Sequence, residues 1–268
     1  MQNSSSLSEH ETPSFKQALG NKKMQLLIGG LLAVAAVSAT ALGVQSASGA
    51  ATSAPTTKAE IEQIVRNYIL EHPEILPEAM ERLKAKHASA SIEERRSALE
   101  TPYRGAWEGA ENGDVILVEF FDYACGYCRK SRTDITKLLS EDKNLKVVYR
   151  ELPILSEDSN SAARVSLLAA EKGKYSAFHD ALYNAGRINR NNILAAAATV
   201  GLDRKTALSA MSDDRYLVEI EGNIKLAQAL GASGTPAFVV GNQFLNGAVG
   251  YDTLKQAIAQ TRKEKGGE

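Results

Sequence analysis

Val115-Ile116-Leu117-Val118-Glu119-Phe120-Phe121-Asp122-Tyr123-Ala124-Cys125-Gly126-Tyr127-Cys128 is the stretch that decides the fold. Its first seven residues are an apolar run broken only by Glu119, the composition of a strand covered on both faces. The run leads directly into two cysteines separated by two residues. Residues 129–140 follow, with Ile135, Leu138 and Leu139 at helical spacing. A second strand is predicted at Leu145-Lys146-Val147-Val148-Tyr149-Arg150, with a stop at Pro153. Strand, helix and strand in that order make a right-handed parallel unit, and the cysteines sit where strand hands over to helix.

Toward the C-terminus the pattern predicts helices over 161–171, 175–184, 191–200 and 214–230, with Gly173, Gly186, Gly201 and Gly231 at or near their C-terminal caps. A strand over 235–240 and an antiparallel neighbour over 243–247 follow, joined across Gly241-Asn242, and a helix over 251–262 closes the domain. The expected fold is α/β: a small mixed sheet with a helical insertion at about 156–231, and no internal repeat.

Upstream, the main domain is expected to open at Asp114 within a segment 101–268, preceded by a helical module over 51–100. In that module Ile61, Ile64, Val65, Tyr68 and Ile69 form one helical stripe that ends at His72-Pro73. Ile75, Leu76, Ala79, Met80 and Leu83 form the apolar face of a second helix, which continues through the charged stretch carrying Ile92 and Leu99 to the Thr101-Pro102 break. Two such helices cannot close a core alone, so the stripe must pack on the main domain or on another copy of itself.

Residues 1–50 read as a polar leader with a signal peptide or membrane anchor. Lys22-Lys23 precedes a charge-free apolar segment, 24–44, and the small residues Ala47-Ser48-Gly49-Ala50 follow it. The segment is close to the ~20 residues that span a bilayer. Its positive flank stays cytoplasmic in either case, which puts the rest of the chain in the periplasm. Residues 45–57 read as a linker. Across 268 residues the composition is 44% hydrophobic and 24% charged, with a net charge of -1, which offers phosphate or anionic lipid no global attraction and argues against nucleic-acid binding.

Cys125 and Cys128 are the only cysteines, so none remains for a structural disulfide. Disulfide exchange needs an attacking thiolate and a second thiol close enough to resolve the mixed disulfide. At a helix N-terminus Cys125 feels backbone N–H groups and the positive end of the macrodipole, and Cys128 lies one turn further in, shielded. Gly126 and Tyr127 add no cation, so the Cys125 pKa is expected between ~3.5 and ~7. Competing chemistries fit less well. Zinc wants four ligands, and His10, His72, His87 and His179 form no paired motif at finger spacing; only a zinc shared between two chains remains open. A c-type haem needs histidine where Arg129 stands. Cu(I) can be held by two thiolates alone, which keeps a copper-binding reading of Cys125 and Cys128 open. No cofactor is expected.

Two further elements belong to the candidate site. Pro236, in Gly234-Thr235-Pro236-Ala237, stands at a strand start where a missing donor is tolerated and a cis bond is an expected feature. Thr235 can then face the cysteines and offer its backbone to an extended substrate; the alternative is an ordinary strand-entry proline. Alternation puts Glu119 on the face of Leu117 and Phe121, where burial would raise its pKa and suit it to carry a proton for Cys128. The alternative there is a partly solvated acid at a sheet edge. His179, beside Phe178, reads as a packed or surface histidine rather than a catalytic one.

With these residues in hand, the sequence resembles the DsbA-like family of periplasmic thiol–disulfide oxidoreductases over about residues 100–262. The segments Glu119 to Cys128, Tyr149-Arg150-Glu151-Leu152-Pro153-Ile154 and Gly234-Thr235-Pro236-Ala237-Phe238 carry the resemblance. It implies a thioredoxin fold with Cys125 attacking, Cys128 resolving, Pro236 as the cis-proline and Glu119 as the buried acid. The stretch from Lys58 to His87 looks like the helical module of the suppressor-of-copper-sensitivity protein C branch, in which the module can drive oligomerisation and oligomers show isomerase activity. Gly126-Tyr127, where the prototype oxidase has Pro-His, and Thr235, where it has valine, point to that branch and leave oxidase, isomerase and reductase open. The expectation is a periplasmic protein-disulfide isomerase or reductase, homo-oligomeric through residues 58–100, with cysteine-containing envelope proteins as substrates and a membrane redox partner.

Overall fold

The structure, a computed structural model, describes residues 57–267; the leader and apolar segment expected in 1–50, and the linker up to residue 56, lie outside the described residues. Among the described residues no helix is long and apolar enough to cross a membrane. The chain begins with α1 (Lys58–Glu71), whose N-terminus is closed by a reciprocal cap: Thr57 accepts from the Glu60 N–H and Glu60 accepts from the Thr57 N–H. After Pro73, α2 (Ile75–Glu100) runs unbroken for 26 residues.

Five strands make one mixed sheet in the order β1-β3-β2-β4-β5. They are β1 (Trp107–Gly109), β2 (Val115–Phe121), β3 (Leu145–Glu151), β4 (Ala237–Val240) and β5 (Gln243–Asn246). β2 and β3 are parallel, joined by α3 (Gly126–Glu141), and the other neighbours pair antiparallel. Between β3 and β4 lie α4 (Glu157–Glu171), α5 (Tyr175–Asn184), α6 (Arg190–Thr199), α7 (Arg204–Ala210), a single 3-10 turn and α8 (Leu217–Ala229); α9 (Tyr251–Gly266) follows β5. This is the thioredoxin-like arrangement with a helical insertion that the sequence predicts. It adds two elements the periodicity did not show. β1 is only three residues long, and α7 is seven residues capped by Asp203.

The pleat of β2 divides the core in two. Val115, Leu117 and Phe121 face α3, α9 and the insertion, in a cluster that includes Cys128, Ile135 and Phe178. Val118 and Phe120 face the other way and pack with Val148, Val239, Ala227 and Leu230, and also with Ile92 and Leu99 of α2. Both α2 residues are fully buried. Arg150, itself buried, donates from Nε and Nη2 to the Leu99 carbonyl at 3.3 and 3.1 Å and from Nη1 to Glu219 at 2.9 Å. It thereby satisfies carbonyls at the C-terminus of α2 that have no partner within the helix. The last turns of α2 are thus a layer of the catalytic unit, and the free part of the module ends near residue 88.

A chain starting at residue 101 loses both apolar anchors, worth ~1.5–3 kcal/mol each, together with the acceptors of a buried guanidinium. Its urea midpoint is expected far below that of a chain starting at residue 88; equal midpoints would contradict this packing.

Candidate active site

Cys125 is the N-cap of α3 in extended conformation, and its Sγ accepts the Cys128 backbone N–H at 3.4 Å. The residue before the turn completes the geometry: the Asp122 carbonyl accepts the Cys125 N–H at 3.0 Å. A Cβ placed on Gly126 would meet nothing within 4 Å, and Tyr127 is exposed, so the dipeptide between the cysteines forms the open rim of the site. Across from it, the Thr235–Pro236 peptide is cis, and the Cys125 thiol donates to the Thr235 carbonyl at 3.2 Å. β4 begins at the next residue and pairs with β2, which seats this loop against the head of α3.

The two thiols are driven apart electrostatically. A hydrogen bond from the Cys128 thiol does most to lower the Cys125 pKa, to about 5; the Thr235 side chain, not its carbonyl, and the N–H groups of Cys128 and Tyr127 add to it, and partial burial opposes it. The helix terminus credited from the sequence contributes through the Cys128 and Tyr127 N–H groups. Cys128 is pushed the other way, far above the ordinary thiol range, first by burial and then by the same hydrogen bond and the nearby Glu119. Cys125 is 7% exposed and Cys128 1%. Both cysteines are therefore largely enclosed.

Glu119 lies on the central strand of the sheet and is 2% exposed, so the alternative of a solvated acid at an edge does not hold. Burial pushes its pKa up to about 8, opposed by the charge of Arg132 and assisted by Glu108 and Cys125. One of its oxygens, Oε1, is buried without a hydrogen-bond partner. A carboxyl that titrates near neutral pH beside a thiol that resists ionisation is chemically suited to move a proton.

Sequence reasoning did not single out the polar cluster behind Glu119. Arg132, one turn beyond Cys128 on α3, donates to Glu108 at 2.5 and 2.9 Å, to Tyr149 Oη at 2.8 Å and to Asp180 at 2.8 Å. Tyr149 is the register partner of Glu119. The spacing from Cys128 to Arg132 was visible; Glu108 was not, because it belongs to the short β1. His179 is fully buried, 3.0 Å from Tyr123 Oη by its Nδ1 and ringed by Phe121, Tyr149, Tyr175 and Tyr183, and burial holds its pKa well below the usual value. It is packed, as expected. Among the described residues no group of three or more His, Cys, Asp or Glu side chains is placed to hold a metal ion.

Residues 116–259 match the model of the DSBA-like thioredoxin domain. The chain belongs to the DSBA-like thioredoxin family. Residues 58–90 match the copper resistance protein ScsC N-terminal domain, and that match stops where α2 becomes buried. Among DSBA-like structures, a thioredoxin-like oxidoreductase from Silicibacter pomeroyi is 40% identical, with a TM-score of 0.60 over 63% of this chain and 98% of that one. A linker-deletion mutant of Proteus mirabilis ScsC is 25% identical, with a TM-score of 0.64 over 79% and 99%. A stretch of 160 residues, 59% of this chain, is 27% identical to Na(+)/H(+) antiporter NhaA 1 of Salinispora arenicola; the match covers 24% of that protein, so the chain spans about a quarter of this curated relative.

The buried acid has a stability signature. The stability due to protonated Glu119 is complete below its unfolded pKa of ~4.3 and is lost as pH rises through about 8. Cys125, with its pKa lowered to about 5, gives the reduced protein an opposite slope, and that slope is common to wild type and variant. Reduced Glu119→Gln is expected to gain on wild type in unfolding free energy, measured by urea titration, as pH rises from about 5 to 9, by on the order of a few kcal/mol; a difference that does not change with pH would contradict the assignment.

Proposed function

We propose that this protein is a periplasmic thiol–disulfide oxidoreductase acting on cysteine-containing envelope proteins, with isomerase or reductase work favoured over net oxidation. The observation that carries the reading is Cys125 Sγ, at the head of α3 and 3.2 Å from the Thr235 carbonyl, with its pKa lowered to about 5 while Cys128 stays a thiol behind it. The Cys125 thiolate attacks one sulfur of a client disulfide; a Cys125–client bond forms and the other client sulfur leaves as a thiolate. In isomerisation a second client thiolate attacks the client sulfur of that bond, and Cys125 leaves as the stable thiolate, so the enzyme ends as it began. In reduction the ionised form of Glu119 takes the Cys128 proton, Cys128 Sγ attacks Cys125 Sγ, the client sulfur leaves as a thiolate and takes up a proton, and the enzyme pair is oxidised. Pro236 and Thr235 line the client strand.

The direction is inferred from two features. A stable Cys125 thiolate favours the reduced pair from which isomerisation starts, and a membrane redox partner would return to that state any pair that a client has oxidised. Isomerisation also gains from a client surface shared between protomers. No residue of α1 is buried, and Ile61, Ile64, Val65, Tyr68, Leu76, Met80 and Leu83 all stand about half exposed along α1 and the first turns of α2. An apolar stripe of this length on a helical arm supports self-association through the exposed part of the 58–100 module, up to about residue 88, while its last turns pack on the chain's own domain. Residues 1–50 fit export, whether as a cleaved signal or as an anchor.

The copper-binding reading keeps one supporting observation, the match of residues 58–90 to the copper resistance protein ScsC N-terminal domain. Two thiolates suffice for Cu(I). Femtomolar Cu(I) binding that abolishes exchange would favour it.

Two measurements test the main reading together. Recovery of scrambled ribonuclease activity should be lost in Cys125→Ala, and light scattering should give an oligomer for residues 57–268 and a monomer for a chain starting at residue 88. Undiminished recovery in Cys125→Ala removes the enzymatic reading, and a monomeric 57–268 removes the oligomeric one.

A further inference from the structure

Arg132 carries the charge that acts most strongly on Glu119, yet every hydrogen bond it makes among the described residues goes elsewhere. Its Nη1 and Nη2 donate to the two oxygens of Glu108 at 2.5 and 2.9 Å. Nη1 also donates to Tyr149 Oη, and Nε to Asp180, both at 2.8 Å. Tyr149 Oη in turn donates to Glu108 Oε2 at 2.8 Å. These bonds occupy four of the five N–H groups that a guanidinium carries. Glu119, meanwhile, has its Oε1 buried without a partner.

A buried guanidinium beside a buried carboxyl ordinarily pairs with it and holds it ionised. Such a pair would end the use of Glu119 as a proton carrier, because a carboxylate fixed to a cation is too weak a base to draw a proton from a buried thiol. Glu108 competes for that cation. It comes from β1, where it lies opposite Val147 of β3, and it is 8% exposed. The other groups that sense Glu119 add no charge. Burial pushes Tyr149 and Glu151 on β3, Tyr183 on α5 and Cys128 on α3 upward, and all four stay neutral. Phe238, the β4 register partner of Glu119, is apolar. Charge at Glu119 therefore comes from Arg132, Glu108 and the Cys125 thiolate.

We infer that Glu108 is a positioning residue for the proton transfer: it holds the Arg132 guanidinium off Glu119, which leaves that acid able to take and release the Cys128 proton near neutral pH. The inference rests on the disulfide-exchange reading and assigns the control of its proton step. Glu108 touches no reacting atom. It acts through Arg132, so its effect disappears when Arg132 is removed as well.

Two readouts test this. In reduced protein labelled at the glutamate carboxyl carbons, the NMR signal missing from Glu119→Gln reports the titration of the acid, with a wild-type midpoint of about 8. With dithiobis(nitrobenzoate), Cys125 takes up one thionitrobenzoate and releases the other; Cys128 then loses its proton to Glu119, attacks Cys125 Sγ and releases the second as a thiolate. Glu108→Gln keeps the side-chain shape and removes its charge. It is expected to lower the NMR midpoint by about one pH unit or more, and the pH dependence of the second release should move in the same direction. Arg132→Met/Glu108→Gln should return the NMR midpoint to within about half a unit of wild type, which a merely structural role for Glu108 does not predict. An unchanged midpoint in Glu108→Gln would overturn the inference, as would a double variant that keeps the Glu108→Gln shift. Should Glu108→Gln not fold, Asp180→Asn removes the half-exposed anion on the same guanidinium and is expected to lower the midpoint by about a third of a unit or more; no shift there overturns the inference. Wild-type protein that releases only one thionitrobenzoate is a different failure, that of the exchange reading itself.

Discussion

The pairing of two thiols, Cys125 at the head of α3 and Cys128 buried one turn further in, is the interaction on which the rest of the site depends. It is asymmetric because the surroundings are. Cys125 caps a helix and meets backbone N–H groups, whereas Cys128 faces an apolar core that penalises charge. The pairing lowers one pKa and raises the other, so two chemically identical groups become a thiolate and a thiol. Everything that holds Cys128 buried, from Ile135 on its own helix to Phe121 on β2, therefore also shapes the reactivity of Cys125.

The sheet supplies the second requirement, a fixed opposing wall. β4 pairs with β2 from Phe120↔Ala237 to Leu117↔Val240, and the Thr235 carbonyl is placed from that register. Glu119 comes from β2 itself, two residues before the strand ends at Phe121, so Cys125, Glu119 and the Thr235 carbonyl share one support. Around Glu119, Arg132 and Glu108 form an ion pair whose charges nearly cancel, which leaves burial as the main influence on the acid.

Much of this was legible because it is local. Val115–Phe121 is a strand on composition alone, Cys125 and Cys128 are one helical turn apart, and Glu119 is the lone acid on an apolar face. Other features were hidden for definable reasons. β1 is three residues with no alternation to detect, and its antiparallel pairing with β3 exists only through long-range contacts. α7 is too short for a periodicity. The merging of α2 into the catalytic unit was invisible because Ile92 and Leu99 lie in a stretch so charged that it reads as a solvated helix, and only the second core shows which two of its side chains turn inward. Asp122 stood in plain view within the motif, but the Ile154 and Leu155 N–H groups that its carboxylate accepts are thirty-odd residues away, and no spacing rule connects them.

The family match covers the catalytic unit and, separately, the helical arm, and the boundary between the two matches falls where side chains pass from exposed to buried along a single helix. The arm and the main domain thus share one continuous helix, α2. The central claim concerns sulfur charge, and ultraviolet thiolate absorbance of the reduced protein against pH reads it directly. Wild type should show one thiolate appearing with a midpoint near 5, and Cys128→Ala should move that midpoint upward by about one unit or more, toward the ordinary thiol at ~8.5. A midpoint above about 8 in wild type, or one that Cys128→Ala leaves in place, would contradict it.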